Sequence, residues 1–175
     1  NPEAFIYNGT TYIAAAAVSN SLGETVRWDG ATKSVYIGNY GEKPNALDVC
    51  TPYKMNYMKI YDETTDSHIV MAGKKYHDYL CSLYGDGTNY ALFNLNGQYE
   101  HFYFDLGHID DSGMNVRTLR IYLDNKMVYE EELNPEMLVM HYEIPLNYAL
   151  QMKIEISSSY TSSATRFGFV NMELK

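Results

Sequence analysis

The sequence predicts a mainly β protein: an antiparallel β-sandwich of the jelly-roll kind, preceded by a small α+β unit. Three observations predict it. From residue 57 onward, short segments alternate apolar and polar residues and are separated by turn signals at regular spacing. Residues 92–111, LFNLNGQYEHFYFDLGHIDD, show the alternation most cleanly, with Phe102, Phe104 and Leu106 on one face and His101, Tyr103 and Asp105 on the other. The first 38 residues read differently, as two hairpins around a short helix. The predicted organisation is therefore a ββαββ unit (1–38), a connector (39–56) and a sandwich (57–175).

Taken in order, residues 5–7 and 10–13 form a hairpin, because Asn8-Gly9 supplies the two left-handed residues of a tight turn. Residues 14–22 follow as a helix with Ala14, Val18 and Leu22 on one stripe, ended by Gly23. Residues 26–28 and 34–37 alternate as strands about Asp29-Gly30. Such a unit is too small to bury much core alone. Gly41, Pro44 and Pro52 interrupt residues 39–56, which read as a connector, although Leu47, Val49 and Cys50 are apolar enough to pack. Strands are then expected at 58–61, 68–71, 76–83, 102–106 and 116–123. The turn Asp124-Asn125 leads to a strand at 127–133. Later segments put Leu138, Met140, Tyr142 and Ile144 on one face, as they do Leu150, Met152, Ile154 and Ile156, before Val170, Met172 and Leu174 close the domain.

Composition excludes several classes of function. A formal net charge of −9 argues against nucleic acid and against a polybasic attachment to lipid. Apolar runs are too short to span a bilayer. Cys50 and Cys81 have no metal or redox spacing, and whether they pair is left open. The start on Asn1-Pro2 reads as a trimmed or mature fragment, so the lack of a leader carries no information on secretion. Eighteen tyrosines supply flat apolar faces with polar tips, which suit sugar or protein contact and equally suit half-exposed sheet faces.

No catalytic motif is present: no nucleophile elbow, no phosphate loop, no zincin helix. The five histidines lack ligand spacing, and neighbours such as His77-Asp78 point to opposite faces of a strand. No enzyme activity, metal or cofactor is expected. Asp105, Asp110 and Asp111 offer oxygen ligands that suit Ca²⁺, against the plainer reading of Asp110-Asp111 as a turn device. The best binding candidate is the loop 84–90, where Tyr84 and Tyr90 give stacking faces and Asp86 and Asn89 give hydrogen bonds to hydroxyls. Tyr160 and Arg166 join it if the loops share one end of the sandwich.

Residues 5–38 resemble the copper amine oxidase N-terminal domain-like family on Asn8-Gly9, Tyr12, the small-residue helix, Leu22-Gly23, Val26, Trp28-Asp29 and Val35-Tyr36-Ile37. The resemblance implies a non-catalytic surface module, often joined to extracellular bacterial domains, without a copper site. Residues 57–175 resemble the NPCBM family of carbohydrate-binding modules appended to glycoside hydrolases. Gly73 and Tyr76 match its strand opening; Leu95, Gly97, Tyr99 and Phe102 match its core motif. Gly107 and Asp110-Asp111 match its turn, and residues 119–129 its hairpin, with Asn125 in place of the turn glycine. This implies a galactose-binding-like sandwich that binds carbohydrate. Two departures oppose it: His77-Asp78-Tyr79 interrupts the opening strand motif, and the sandwich holds no Trp for sugar stacking.

The expectation is an accessory module of a secreted or cell-surface bacterial protein, with carbohydrate as partner and another protein domain as a second candidate partner. The alternative is a structural or protein-interaction module that binds no sugar.

Overall fold

The computed structural model of the chain describes residues 4–22, 26–29, 33–37, 45–61, 67–83, 88–157 and 164–175, in two compact units, Asn1–Pro44 and Asn45–Lys175.

In the first unit, β1 (Ala4–Tyr7) pairs antiparallel with β2 (Thr10–Ile13). Asn8 and Gly9 take φ of 48° and 76°, the left-handed pair that an Asn-Gly hairpin turn requires. Helix α1 (Ala15–Leu22) lies against a second hairpin, β3 (Val26–Asp29) with β4 (Ser34–Ile37). The predicted ββαββ order is present.

The second unit begins with a single helical turn, α2 (Ala46–Val49), whose first turn is capped by Asn45 accepting from the Leu47 N–H at 3.1 Å. Its strands are β5 (Lys54–Asn56), β6 (Met58–Tyr61), β7 (Ile69–Met71), β8 (Lys74–Tyr76), β9 (Tyr79–Ser82), β10 (Thr88–Asn94), β11 (His101–His108), β12 (Arg117–Leu123), β13 (Lys126–Leu133), β14 (Met140–Pro145), β15 (Gln151–Ser157) and β16 (Phe167–Leu174). One sheet runs β13-β12-β15-β10-β5 and the other β14-β11-β16-β9-β6, every neighbour antiparallel. From β9 onward the chain changes sheet after almost every strand, which is jelly-roll connectivity. The expected mainly β antiparallel sandwich is what forms.

Alternation places the core. Ala91 and Phe93, Leu119, Ile121 and Leu123, and Met152, Ile154 and Ile156 line the inner face of the first sheet. Phe102, Phe104 and Leu106, with Tyr142, Ile144, Phe169 and Met172, line that of the second. The Phe104 ring packs on Phe102, Tyr142 and Phe169 at centroid distances of 4.8, 5.1 and 5.3 Å. A smaller second core forms where the β7–β8 hairpin contributes Ile69 and Met71 to a cluster with Tyr79, Cys81, Ile109 and Val170. With both faces covered, β9 is buried at every residue instead of at every second one. The Asp110 carboxylate fixes that hairpin, accepting from the Ala72 and Gly73 amides of its turn at 3.0 and 2.9 Å.

Four sequence expectations differ from the structure. Residues 88–90, expected in a loop, open strand β10, because Asn89, Ala91 and Phe93 continue one inward series. Residues 45–56, expected within the connector, carry α2 and β5, and β5 pairs with β10. The expected strand 76–83 is divided: β8 ends at Tyr76 and β9 starts at Tyr79. Leu138, Met140 and Leu150 are exposed rather than inward, Leu138 and Leu150 lying ahead of their strands.

Cys50 and Cys81 are free buried thiols in different cores. Burial pushes the Cys81 thiol up to about 11.

Candidate functional site

The two outer faces of the sandwich differ in character. On the β11–β14 face the polar groups are engaged with one another. Asp105 accepts from His141 Nδ1 at 2.7 Å and Asn171 Nδ2 at 2.6 Å, and the Tyr103 hydroxyl donates to Glu143 at 3.1 Å. His101 Nδ1 approaches Glu143 to 2.9 Å without hydrogen-bond alignment. Lys175 Nζ covers the Tyr103 ring at 4.3 Å. Asp105 and Asp110 thus have separate partners, on His141 and Asn171 and on the Ala72–Gly73 turn. Among the described residues no cluster of three or more His, Cys, Asp or Glu could hold a metal ion.

The outer face of the β13-β12-β15-β10-β5 sheet is shaped differently. Register aligns Leu92 of β10, Lys153 of β15 and Tyr122 of β12 in one cross-strand row. Tyr90, Glu155, Arg120 and Glu130 align in the next. The first row floors a cleft of about 240 Å³ lined by Tyr53, Leu92, Tyr122, Asn125, Gln151, Met152 and Lys153. Tyr53, 56% exposed, stands where the chain enters β5, anchored by its N–H to the Leu92 carbonyl at 2.9 Å. Asn125 is held at the rim by the β12–β13 turn, where Asp124 and Asn125 take φ of 47° and 67°. The Asp124 carboxylate in turn accepts from the Leu150 and Gln151 amides, tying that turn to the start of β15.

Among the described residues that line the cleft, Lys153 is the only charged one, and it is tightly held. Its ammonium lies 4.9 Å from the Tyr122 ring centre and 5.3 Å from that of Tyr90, within cation–π range of both. It pairs with Glu155, which is nearly buried and which Arg120 Nη1 approaches to 3.5 Å. Arg120 also pairs with Glu130 at 2.5 Å, and that hydrogen bond raises the guanidinium further above its usual range. Lys153 and Arg120 pair with Glu155 and Glu130, and Lys54 of β5, in register with Leu92, adds an exposed ammonium at the edge of the row. The chemistry is that of a mostly uncharged platform: tyrosine faces, an aliphatic floor, two amides and an ammonium paired with a carboxylate.

The predicted site residues divide. Tyr84, Asp86 and Tyr160 lie outside the described residues. Asn89 and Tyr90 are neighbours on one strand and so face opposite ways: Asn89 is fully buried, donating to the Ile156 carbonyl at 3.4 Å, while Tyr90 lies outward beside Lys153. Arg166 is half-buried. Its charge acts on Tyr79 and Cys81 of the other sheet, and its N–H donates to Ser112 Oγ at 3.2 Å. Of the described ones among these residues, Tyr90 alone adjoins the cleft. The sequence reading does not single out the cleft residues Tyr53, Tyr122, Gln151 and Lys153, although the last three fall at outward positions of the β12 and β15 alternation.

One serine–histidine contact resembles a nucleophile and its base. His108 Nε2 lies 2.8 Å from both Ser112 Oγ and the Gly113 carbonyl. A carbonyl at that distance requires a proton on Nε2, so the nitrogen is a donor and cannot take the serine's proton; Ser112 spends that proton on the Ile109 carbonyl at 2.6 Å. In this arrangement the pair does not form a base-activated nucleophile.

Comparison with known proteins adds two findings. The family model described as copper amine oxidase N-terminal domain matches residues 1–49. No curated protein matches the chain. Among solved structures, CBM51 from Clostridium perfringens GH95 in complex with methyl-galactose aligns over 74% of this chain and 97% of its own, with a TM-score of 0.58 and 14% identity. CBM51-2, in a structure with GlcNAc and INT domains from Clostridium perfringens ZmpB, aligns over 85% of this chain and 36% of its own, with a TM-score of 0.53 and 8% identity. No helix among the described residues is long and apolar enough to cross a membrane. The β-sandwich therefore has the galactose-binding-like fold of carbohydrate-binding modules, at identities that establish the fold alone.

Proposed function

We propose that the chain is a non-catalytic accessory module of a secreted or cell-surface bacterial protein, and that its sandwich binds carbohydrate at the Tyr53–Tyr122 cleft. The observation that carries the reading is the pairing of aromatic faces with polar groups: Tyr53, Tyr90 and Tyr122 around Lys153, Gln151 and Asn125. Pyranose rings offer C–H faces that rest on aromatic rings, and hydroxyls that amides and an ammonium can grip. Tyrosine here fills the part that tryptophan plays elsewhere, which answers the absence of Trp from the sandwich. The carbohydrate-binding-module fold supports the same reading. Residues 84–87 and Tyr160, with Arg166, remain a second candidate contact at the loops.

The test is a glycan-array screen of the chain beside Tyr90→Ala/Tyr122→Ala and Tyr84→Ala/Tyr160→Ala variants. Binding lost in the first and kept in the second supports the cleft. The reverse moves the site to the loops. No binding by the unaltered chain removes the carbohydrate reading.

A second reading, a protein-interaction module, is favoured by the first unit, where Ile6, Tyr7 and Ile13 are 74%, 62% and 58% exposed on one small hairpin. It predicts no glycan hit.

A further inference from the structure

From the layout of the cleft we infer that its ligand is an internal stretch of a linear glycan, spanning at least two consecutive sugars, rather than a single terminal sugar. This rests on the carbohydrate reading above. The cleft crosses the strands instead of running along one of them. Tyr53 enters from the edge strand β5 and Tyr122 projects from β12, with β10 and β15 between them. Those backbones are three strand steps apart, about 14 Å at the usual spacing. A sugar stacked on one tyrosine touches its ring at van der Waals distance, about 3.5–4 Å between carbon atoms, well short of that strand separation. The two faces therefore serve different sugars along a chain.

Two further features suit that arrangement. Lys153 stands between the two tyrosines, one strand from Tyr122 and in register with both Leu92 and Tyr122, paired with Glu155 and with its ammonium over the Tyr122 and Tyr90 rings. It is placed to meet the hydroxyls near the linkage between the two stacked sugars. Among the described residues, the lining of the cleft runs from exposed Tyr53 at one end to the β12–β13 turn at the other. The similar structures in complex with methyl-galactose and GlcNAc hold small ligands; the geometry here points to a longer one.

The experiment is isothermal titration of the whole chain with linear oligosaccharides of glucose, mannose, galactose and N-acetylglucosamine, each from one to six units long. Tyr53→Ala and Tyr122→Ala variants, both at exposed or half-exposed positions, are titrated alongside. In the series that binds, affinity should rise about tenfold between the single sugar and the trisaccharide and then level off. That is the ratio that about 1.4 kcal/mol from a second stacking contact gives. Tyr53→Ala should bring the trisaccharide down to the level of the single sugar. A single sugar that binds as tightly as its trisaccharide, with both lost in Tyr122→Ala, overturns the extended-chain inference and leaves the carbohydrate reading standing. Chain-length dependence that survives in both variants also overturns it, by placing the ligand off this sheet. Failure of every sugar at every length overturns both.

Discussion

Arg117 is among the largest fully buried side chains of the molecule, 1% exposed, and replacing it by leucine tests how the sandwich is joined where β15 ends and β16 begins. Its Nη1 donates to the Thr165 carbonyl at 3.0 Å, its Nε to Ser157 at 3.3 Å and its Nη2 to Ile156 at 3.5 Å. One guanidinium thus links the last residues of β15 to the segment that leads into β16. A hydrogen bond from a charged donor contributes about 1.5–3 kcal/mol, and the two longer contacts contribute less than the first. Arg117→Leu deprives these carbonyls of that donor, but it also removes the cost of keeping a charge in the interior. The net expectation is a loss of about 2–4 kcal/mol, or roughly 10 °C in Tm for a domain of this size. Near-UV circular dichroism of the tyrosines should follow the transition, because the single tryptophan, Trp28, belongs to the other unit. Arg117→Lys, which keeps the charge with a single-point donor, should recover part of the loss. An Arg117→Leu variant within about 0.5 kcal/mol of the parent chain would refute the reasoning.

The remaining predictions concern a thiol and a hairpin. The Cys81 thiol is raised from 9.0 to about 11 by burial, so folding holds its proton more tightly than the unfolded chain does. That contributes about 2–3 kcal/mol, fully present below pH 9 and lost as pH rises through 11. Urea midpoints measured at pH 8 and pH 10.5 should therefore diverge less in Cys81→Ala than in the parent chain. Asp110→Ala should loosen the β7–β8 hairpin by about 1–2 kcal/mol through loss of its two amide contacts. Hydrogen exchange should show this as faster exchange at residues 69–76, with the β12–β15 pair unchanged.

Much of the fold was legible because its signals are local. The His101–His108 strand alternates as its residues dictate, and Asn8-Gly9 and Asp124-Asn125 turn with left-handed φ. What escaped depends on partners distant in sequence. Asn89 reads as a loop residue from its polarity, yet the interior accepts it because Ile156, 67 positions away, offers a carbonyl. Arg117 stands two residues ahead of Leu119 in an inward series, and the carbonyls at 156, 157 and 165 that receive it are far away in the sequence. The cleft itself is a product of pairing order: β10, β15 and β12 are adjacent in the sheet but widely separated in the chain. No local pattern reports that Leu92, Lys153 and Tyr122 share a row.

The most direct test of the account is an amide and methyl NMR titration of the chain with the tightest-binding oligosaccharide from the titration series. Shifts concentrated at Tyr53, Leu92, Tyr122, Asn125, Gln151 and Lys153, with the His101–His141 face unmoved, are the predicted result. Shifts confined to residues 84–87, 160 and 166, with the cleft silent, would contradict it.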